Sequence, residues 1–161
     1  MKENSYPIRK KLRLEHHDYR SPGYYHIVIL TDKRQNFLGH IDQGIMILSP
    51  FGQVFHEVME NISDFMPNIE IIKFQAMHDH VHILINLLEV GNAEDSVSIP
   101  EFVSRVKTFS VWKYKNIQPL EKNPKIPTKV WHRSYYDHIL RSEEEAELTF
   151  NYIEFNPDQF E

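Results

Sequence analysis

The chain has no cysteine. It therefore holds no disulfide and no thiolate metal site, a composition that fits a reducing cytoplasm. No apolar run approaches the length of a membrane span, so no membrane partner is expected. The basic N-terminal stretch MKENSYPIRKKLRLEHH lacks the apolar core of a signal peptide. Internal repeats and low-complexity tracts are absent as well. Lys and Arg are missing from residues 142–161, and residues 41–101 contain a single base, Lys73. At 161 residues the chain is long enough for one domain with a sizeable core, spanning 1–161, with 1–22 as a basic arm.

A net charge of −5 argues at first against a nucleic-acid partner. The distribution of charge reverses that argument. Nine bases and only two acids, Glu121 and Asp137, fall between residues 102 and 141. A second basic group comprises Arg9, Lys10, Lys11, Arg13 and Arg20. Segregated charge can make a local positive surface on an acidic protein, although either cluster alone reads as a solvated face.

The most informative stretch is AMHDHVHILIN, residues 76–86. His78, His80 and His82 alternate, so a strand through all three would line the imidazoles up on one face and put Val81, Ile83 and Ile85 on the other. Imidazoles bring polar nitrogens that need partners, so an apolar strand seldom carries a row of them for packing alone. Such a row suits a metal, a polyanion, or both.

The rest of the chain reads as strands alternating with three helices, an α+β sheet with helices packed on it. Residues 24–31 form a strand, and 37–49 a hairpin turning at Asp42-Gln43-Gly44. A helix follows over about 51–66. Strands at 69–77 and 80–87 run through the histidines as two segments or as one. Ser98 and Glu101 form a capping box for a helix to about residue 116, with Phe102, Val103, Val106 and Phe109 facing in and Arg105, Lys107 and Lys115 facing out. Three prolines make 117–129 a linker. Residues 130–141 form an aromatic strand, and Ser142 with Glu145 caps a last helix to about Asn156. Tyr152 and Asn156 share a face of that helix, with Ala146, Phe150 and Ile153 forming its core stripe. Spacing alone makes Tyr152 a packing residue with a satisfied hydroxyl.

Three motifs, in order, change that reading. His80-Val81-His82 resembles the HUH signature. WHRSYYDHILR (131–141) and NYIEFNP (151–157) resemble the C-terminal signature of the single-tyrosine HUH transposases, in particular the REP-associated tyrosine transposases and their insertion-sequence relatives. The resemblance runs from about residue 9 to residue 157. It implies a central antiparallel sheet of the ferredoxin-like, RNA-recognition kind. It also implies an enzyme that nicks and rejoins single-stranded, hairpin-forming DNA through a 5′-phosphotyrosine. Tyr152 would be the nucleophile, His80 and His82 would hold a divalent metal (Mg2+ or Mn2+), and Asn156 would be a third, weak ligand. Such an enzyme would work at the nucleoid. Some relatives exchange the tyrosine helix between subunits, so the resemblance admits a homodimer as well as a monomer.

Beside these, Arg105, Lys107 and Arg133 are candidate phosphate contacts. Tyr135 is a candidate for stacking on bases, as aromatics interleaved with Lys and Arg do on single-strand-binding surfaces. His138 is a candidate phosphate contact or a structural histidine. Two other readings stay open. His78-Asp79-His80-Val81-His82-Ile83 also fits a histidine-triad nucleotide hydrolase or transferase, which would need neither metal nor Tyr152. A catalytically silent DNA-binding relative would keep the surface without the chemistry.

Overall fold

The computed structural model describes residues 13–117 and 127–156. Most of the N-terminal arm, most of the 117–129 linker with Lys122 and Lys125, and Pro157 lie outside the described residues.

Strand β1 (Gly23–Thr31) is central, and its alternation is strict: Tyr25, Ile27, Ile29 and Thr31 are buried and the residues between them less so. Next comes a separate two-stranded ribbon, β2 (Gly39–Asp42) and β3 (Ile45–Leu48). It turns at Gln43 and Gly44, both with positive φ, where the sequence pattern places the turn. Helix α1 (Pro50–Asn61) starts on Ser49, whose hydroxyl accepts from the Gly52 amide, with Pro50 at its first position. A short 3-10 turn (Ile62–Phe65) replaces the helix's expected last turn and leaves Phe65 exposed.

Strands β4 (Ile69–Ala76) and β5 (His80–Leu87) pair as an antiparallel hairpin. The histidine row is therefore shorter than the alternation implies. The chain reverses at residues 77–79, where the Met77 amide donates to the His80 carbonyl, and His78 sits in that turn. Helix α2 (Ile99–Ile117) begins on the expected capping box: the Glu101 carboxylate accepts from both the Ser98 amide and hydroxyl. Phe102, Val103 and Val106 are buried, but Phe109 lies at the exposed edge of the helix's apolar stripe. Strand β6 (Trp131–Leu140) and helix α3 (Glu143–Glu154) follow, the latter capped by Ser142.

The main sheet has the order β4-β5-β1-β6, antiparallel throughout. With α1 between β1 and β4, and α2 between β5 and β6, this is the ferredoxin-like arrangement. Register assigns the two faces. Val28 pairs with His82 and Tyr136, and His26 pairs with Leu84 and His138, so these side chains share one face. Tyr25, Ile27, Ile29, Val81, Ile83, Ile85 and Tyr135 point to the other, into the main core with α1 and α2. Among the described residues, helix α3 covers part of the first face, through Ala146 and Ile153 on Leu84 and Leu140. The histidines stand on that face beside it. Among the described residues, no helix is long and apolar enough to cross a membrane.

The described end of the basic arm is docked. Arg13 pairs with Asp137 at 2.8 Å and donates to the Tyr135 carbonyl, and the Tyr19 carbonyl accepts from the Ile99 amide.

Candidate active site

Two adjacent same-face residues of β5 form the centre. His80 Nε2 and His82 Nε2 are 3.1 Å apart, both side chains largely buried. Each ring's other nitrogen is occupied. His80 Nδ1 lies 2.7 Å from Asp79 Oδ1, and His82 Nδ1 lies 3.0 Å from His26 Nε2. Asp79 is fixed in turn by Arg34 Nε at 2.6 Å and by Thr31, whose amide and hydroxyl both donate to the Asp79 carbonyl. Lys33 and Arg34 both take left-handed backbone to make this turn, at roughly 1–2 kcal/mol per residue. The Arg34–Asp79 contact helps offset that cost.

Electrostatics keeps the imidazoles neutral. Burial lowers His82 to about 3, helped by His80 and His26. Burial lowers His26 to about 4, with a further push from His138. Burial also lowers His80, against the pull of Asp79. For Asp79, burial favours the neutral acid, but the bonds from Arg34 and His80 outweigh it and hold the carboxyl below its ordinary value. Neutral imidazoles with bare nitrogens are what a divalent cation binds. Two donors about 2.1 Å from one ion, at angles of about 90–110°, stand about 3.0–3.4 Å apart. The 3.1 Å between the two Nε2 atoms fits that geometry. Among the described residues there is no group of three or more His, Cys, Asp or Glu suited to a metal.

Helix α3 brings Tyr152 to the same place. Its ring stands edge-on to His82, centroids 5.6 Å apart, and edge-on to His26 at 6.3 Å. It is 47% exposed, not a sealed packing residue. Lys73 of β4 pairs with Glu154 and lies over the Phe150 ring, tying the helix end to the sheet. Asn156 differs from its helical expectation. It lies past the end of α3 and is buried, and its Nδ2 has no hydrogen-bond partner among the described residues.

The candidate DNA contacts divide between the two faces. His138 is exposed on the histidine face, paired with His26 across β1 and β6. Arg133 is exposed on β6. Arg105 and Lys107 belong to α2, across the sheet from the histidines. Lys107 is half-buried rather than outside. Its ammonium donates to the His132 and Ser134 carbonyls at 2.8 and 3.2 Å, and burial lowers its pKa to about 8. Tyr135 does not fit base stacking. It is buried on the core face, and the Arg13 guanidinium lies 3.5 Å over its ring. Its neighbour Tyr136 is the exposed one, on the histidine face.

Sequence reasoning missed His26 and the Arg34–Asp79 support. Both depend on register between distant segments. The one available signal was a lone polar residue, His26, in the apolar run of β1.

A family model for IS200-like transposases matches residues 20–156. The chain belongs to the IS200-like transposase family. That membership makes it a transposase, and the resemblance drawn from the HUH, WHRSYYDHILR and NYIEFNP motifs is borne out. An uncharacterized protein of Haemophilus influenzae (strain Rd) is 30% identical over 166 residues, covering 92% of this chain and 88% of that one. Two solved structures share the fold. One is a REP-associated tyrosine transposase bound to a REP hairpin (TM-score 0.62, 14% identity, 91% of this chain and 74% of that chain). The other is a candidate transposase of Deinococcus radiodurans R1 (TM-score 0.53, 20% identity, 88% of this chain and 95% of that chain).

Proposed function

We propose that this IS200-like transposase nicks and rejoins single-stranded, hairpin-forming DNA through a covalent phosphotyrosine on Tyr152, with a divalent metal held by His80 and His82. The observation that carries the reading is the juxtaposition, on one face of the sheet, of a half-exposed tyrosine and two largely buried imidazoles whose Nε2 atoms lie 3.1 Å apart. A phosphodiester resists nucleophiles because its oxygens are anionic. A bound divalent cation would neutralise that charge and orient the phosphorus.

The chain's own residues do the rest. Asp79 holds His80, and His26 holds His82, so neither ring reorganises when substrate arrives. Tyr152 Oη attacks phosphorus. The P–Oη bond forms and the P–O3′ bond breaks, the phenol gives up its proton, and the departing 3′ oxygen takes one up. The products are a 5′-phosphotyrosine and a free 3′-OH. A second strand's 3′-OH can reverse the step, because the phosphotyrosine stores the bond energy. Two imidazole donors favour Mn2+ over Mg2+ on ligand softness, and Mg2+ is the alternative. Asn156 stays a candidate third ligand through its amide oxygen; the amide is buried and its nitrogen has no partner among the described residues. His138, on the same face as His26 and His82, is the candidate phosphate contact nearest this chemistry in the register.

Against the histidine-triad reading, His78 stands in the β4–β5 turn and not on the strand that carries His80 and His82, although its ring lies 6.4 Å from that of His80.

The test is a covalent-adduct assay. Labelled hairpin DNA is incubated with the protein and Mn2+ and resolved on a denaturing gel. The parent should give a shifted protein–DNA band that disappears in Tyr152→Phe, His80→Ala and EDTA. Cleavage that persists in Tyr152→Phe would overturn the nucleophile. Hairpin binding without cleavage in every condition would favour the silent DNA-binding relative.

A further inference from the structure

We propose that His26 is a positioning residue: by hydrogen bonding through its Nε2 it sets which nitrogen of His82 carries the proton, and thereby opens His82 Nε2 to a divalent cation. The inference rests on the reading of His80 and His82 as the metal ligands. It concerns a residue on a different strand, which the HUH pattern does not contain.

A continuous chain of polar contacts crosses the sheet: Arg34 Nε to Asp79 (2.6 Å), Asp79 to His80 Nδ1 (2.7 Å), His80 Nε2 to His82 Nε2 (3.1 Å), and His82 Nδ1 to His26 Nε2 (3.0 Å). Its protons are constrained from one end. Ionised Asp79 only accepts, so His80 carries its proton on Nδ1 and leaves Nε2 bare. With neutral rings, the remaining bonds can be satisfied in one way without a cation. His82 Nε2–H then donates to His80 Nε2, and His26 Nε2–H donates to His82 Nδ1. A cation on both Nε2 atoms requires the other arrangement. The His82 proton sits on Nδ1 and donates to His26 Nε2, and the His26 proton sits on Nδ1. Each ring holds one proton in both states, so the protons balance with none gained or lost.

His26 is suited to this because its imidazole can accept or donate at the same atom. Its ring also lies against His82, centroids 5.2 Å apart and planes within 22°. An apolar side chain at position 26 would leave the His82 Nδ1–H buried and unpaired in the cation-bound state. The loss there is the larger of the two, because a ligated imidazole is the stronger donor.

The experiment measures Mn2+ affinity by calorimetry, without DNA, for the parent, His26→Leu, His26→Gln and His82→Ala. His82→Ala should lose binding. His26→Leu should bind about 10–100-fold more weakly, the usual cost of removing such a partner. His26→Gln, which also accepts or donates, should recover most of the loss. A His26→Leu affinity equal to the parent's, with binding lost in His82→Ala, overturns the role of His26 alone. Undiminished binding in His82→Ala overturns the metal reading and this inference with it. Should His26→Leu not fold, 15N-imidazole spectra of the parent decide the matter with Zn2+ as the diamagnetic probe. The proton on His26 moves from Nε2 to Nδ1 on binding, and a proton that stays on Nε2 overturns the proposal.

Discussion

Tyr152 of α3 stands edge-on to His82 of β5, ring centroids 5.6 Å apart and planes at 89°. Neither residue is held by the other. Tyr152 is placed by the packing of Ala146 and Ile153 on Leu84 and Leu140, and His82 by its strand and by His26. A candidate nucleophile positioned by its helix and left half-exposed can be changed without disturbing the sheet.

Tyr152→Phe should therefore melt within a few degrees of the parent and bind hairpin DNA within about 2-fold. Its covalent step should fall by about 10³-fold or more, since the attacking oxygen is gone. Circular dichroism melting, a filter-binding titration and single-turnover cleavage separate the three. A variant that loses DNA affinity along with cleavage would argue that the hydroxyl binds and does not attack.

Asp79→Asn should weaken Mn2+ binding by about 10–100-fold while leaving the fold intact, because it removes the charge that fixes the His80 Nδ1 proton. Calorimetric titration checks it. Arg34→Ala should have the same effect in weaker form, because it loosens Asp79 but also removes a positive charge that itself disfavours a cation at His80.

Acid should destabilise the metal-free protein. His26 and His82 sit near 4 and 3 when folded, against 6.5 in the unfolded chain. The unfolded chain takes up their protons from about pH 6.5 downward, while the folded state resists until far lower. Their contribution is therefore complete above pH 6.5 and is lost as pH falls toward 4 and 3. Melting temperatures in EDTA should drop between pH 6.5 and 5, before most carboxylates titrate, and drop less in His26→Leu. Equal slopes for the two proteins would contradict a half-buried His26 held neutral.

Lys107→Met should leave hairpin affinity within about 3-fold and its salt slope unchanged, because the Lys107 ammonium is engaged by β6 carbonyls. Arg133→Ala, at an exposed position, should weaken binding and reduce the salt slope by about 1. Titrations at several salt concentrations distinguish them, and the opposite pattern would return Lys107 to the DNA surface.

Gly52→Ala should destabilise the fold by about 3 kcal/mol, since the added Cβ would fall 2.1 Å from the Leu38 carbonyl oxygen, a backbone atom that cannot swing away. A denaturant midpoint measures it.

Local pattern made much of this molecule legible. The alternation of β1, the Gln43-Gly44 turn, the Ser98–Glu101 and Ser142–Glu145 caps, and the core stripe of α3 depend on neighbours a few residues away. Motif order was enough to reach the transposase family. Phe109 and Lys107 were misjudged because helical spacing divides a helix into faces without saying where the sheet ends. The three-histidine row failed because alternation cannot detect a strand reversal. Residues 77–79 turn, although their polarity differs little from that of a strand end.

The sequence by itself determined which residue types could do chemistry here, His80, His82 and Tyr152, and the elements that carry them. Only the tertiary structure decided that His26 supports His82, that Arg34 and Asp79 support His80, and that Tyr135 is covered while Tyr136 is exposed. The physical reason is register. Which strand lies beside which, and by how many residues it is offset, comes from the packing of the whole sheet against three helices. A shift of one residue would turn every side chain of a strand to the opposite face.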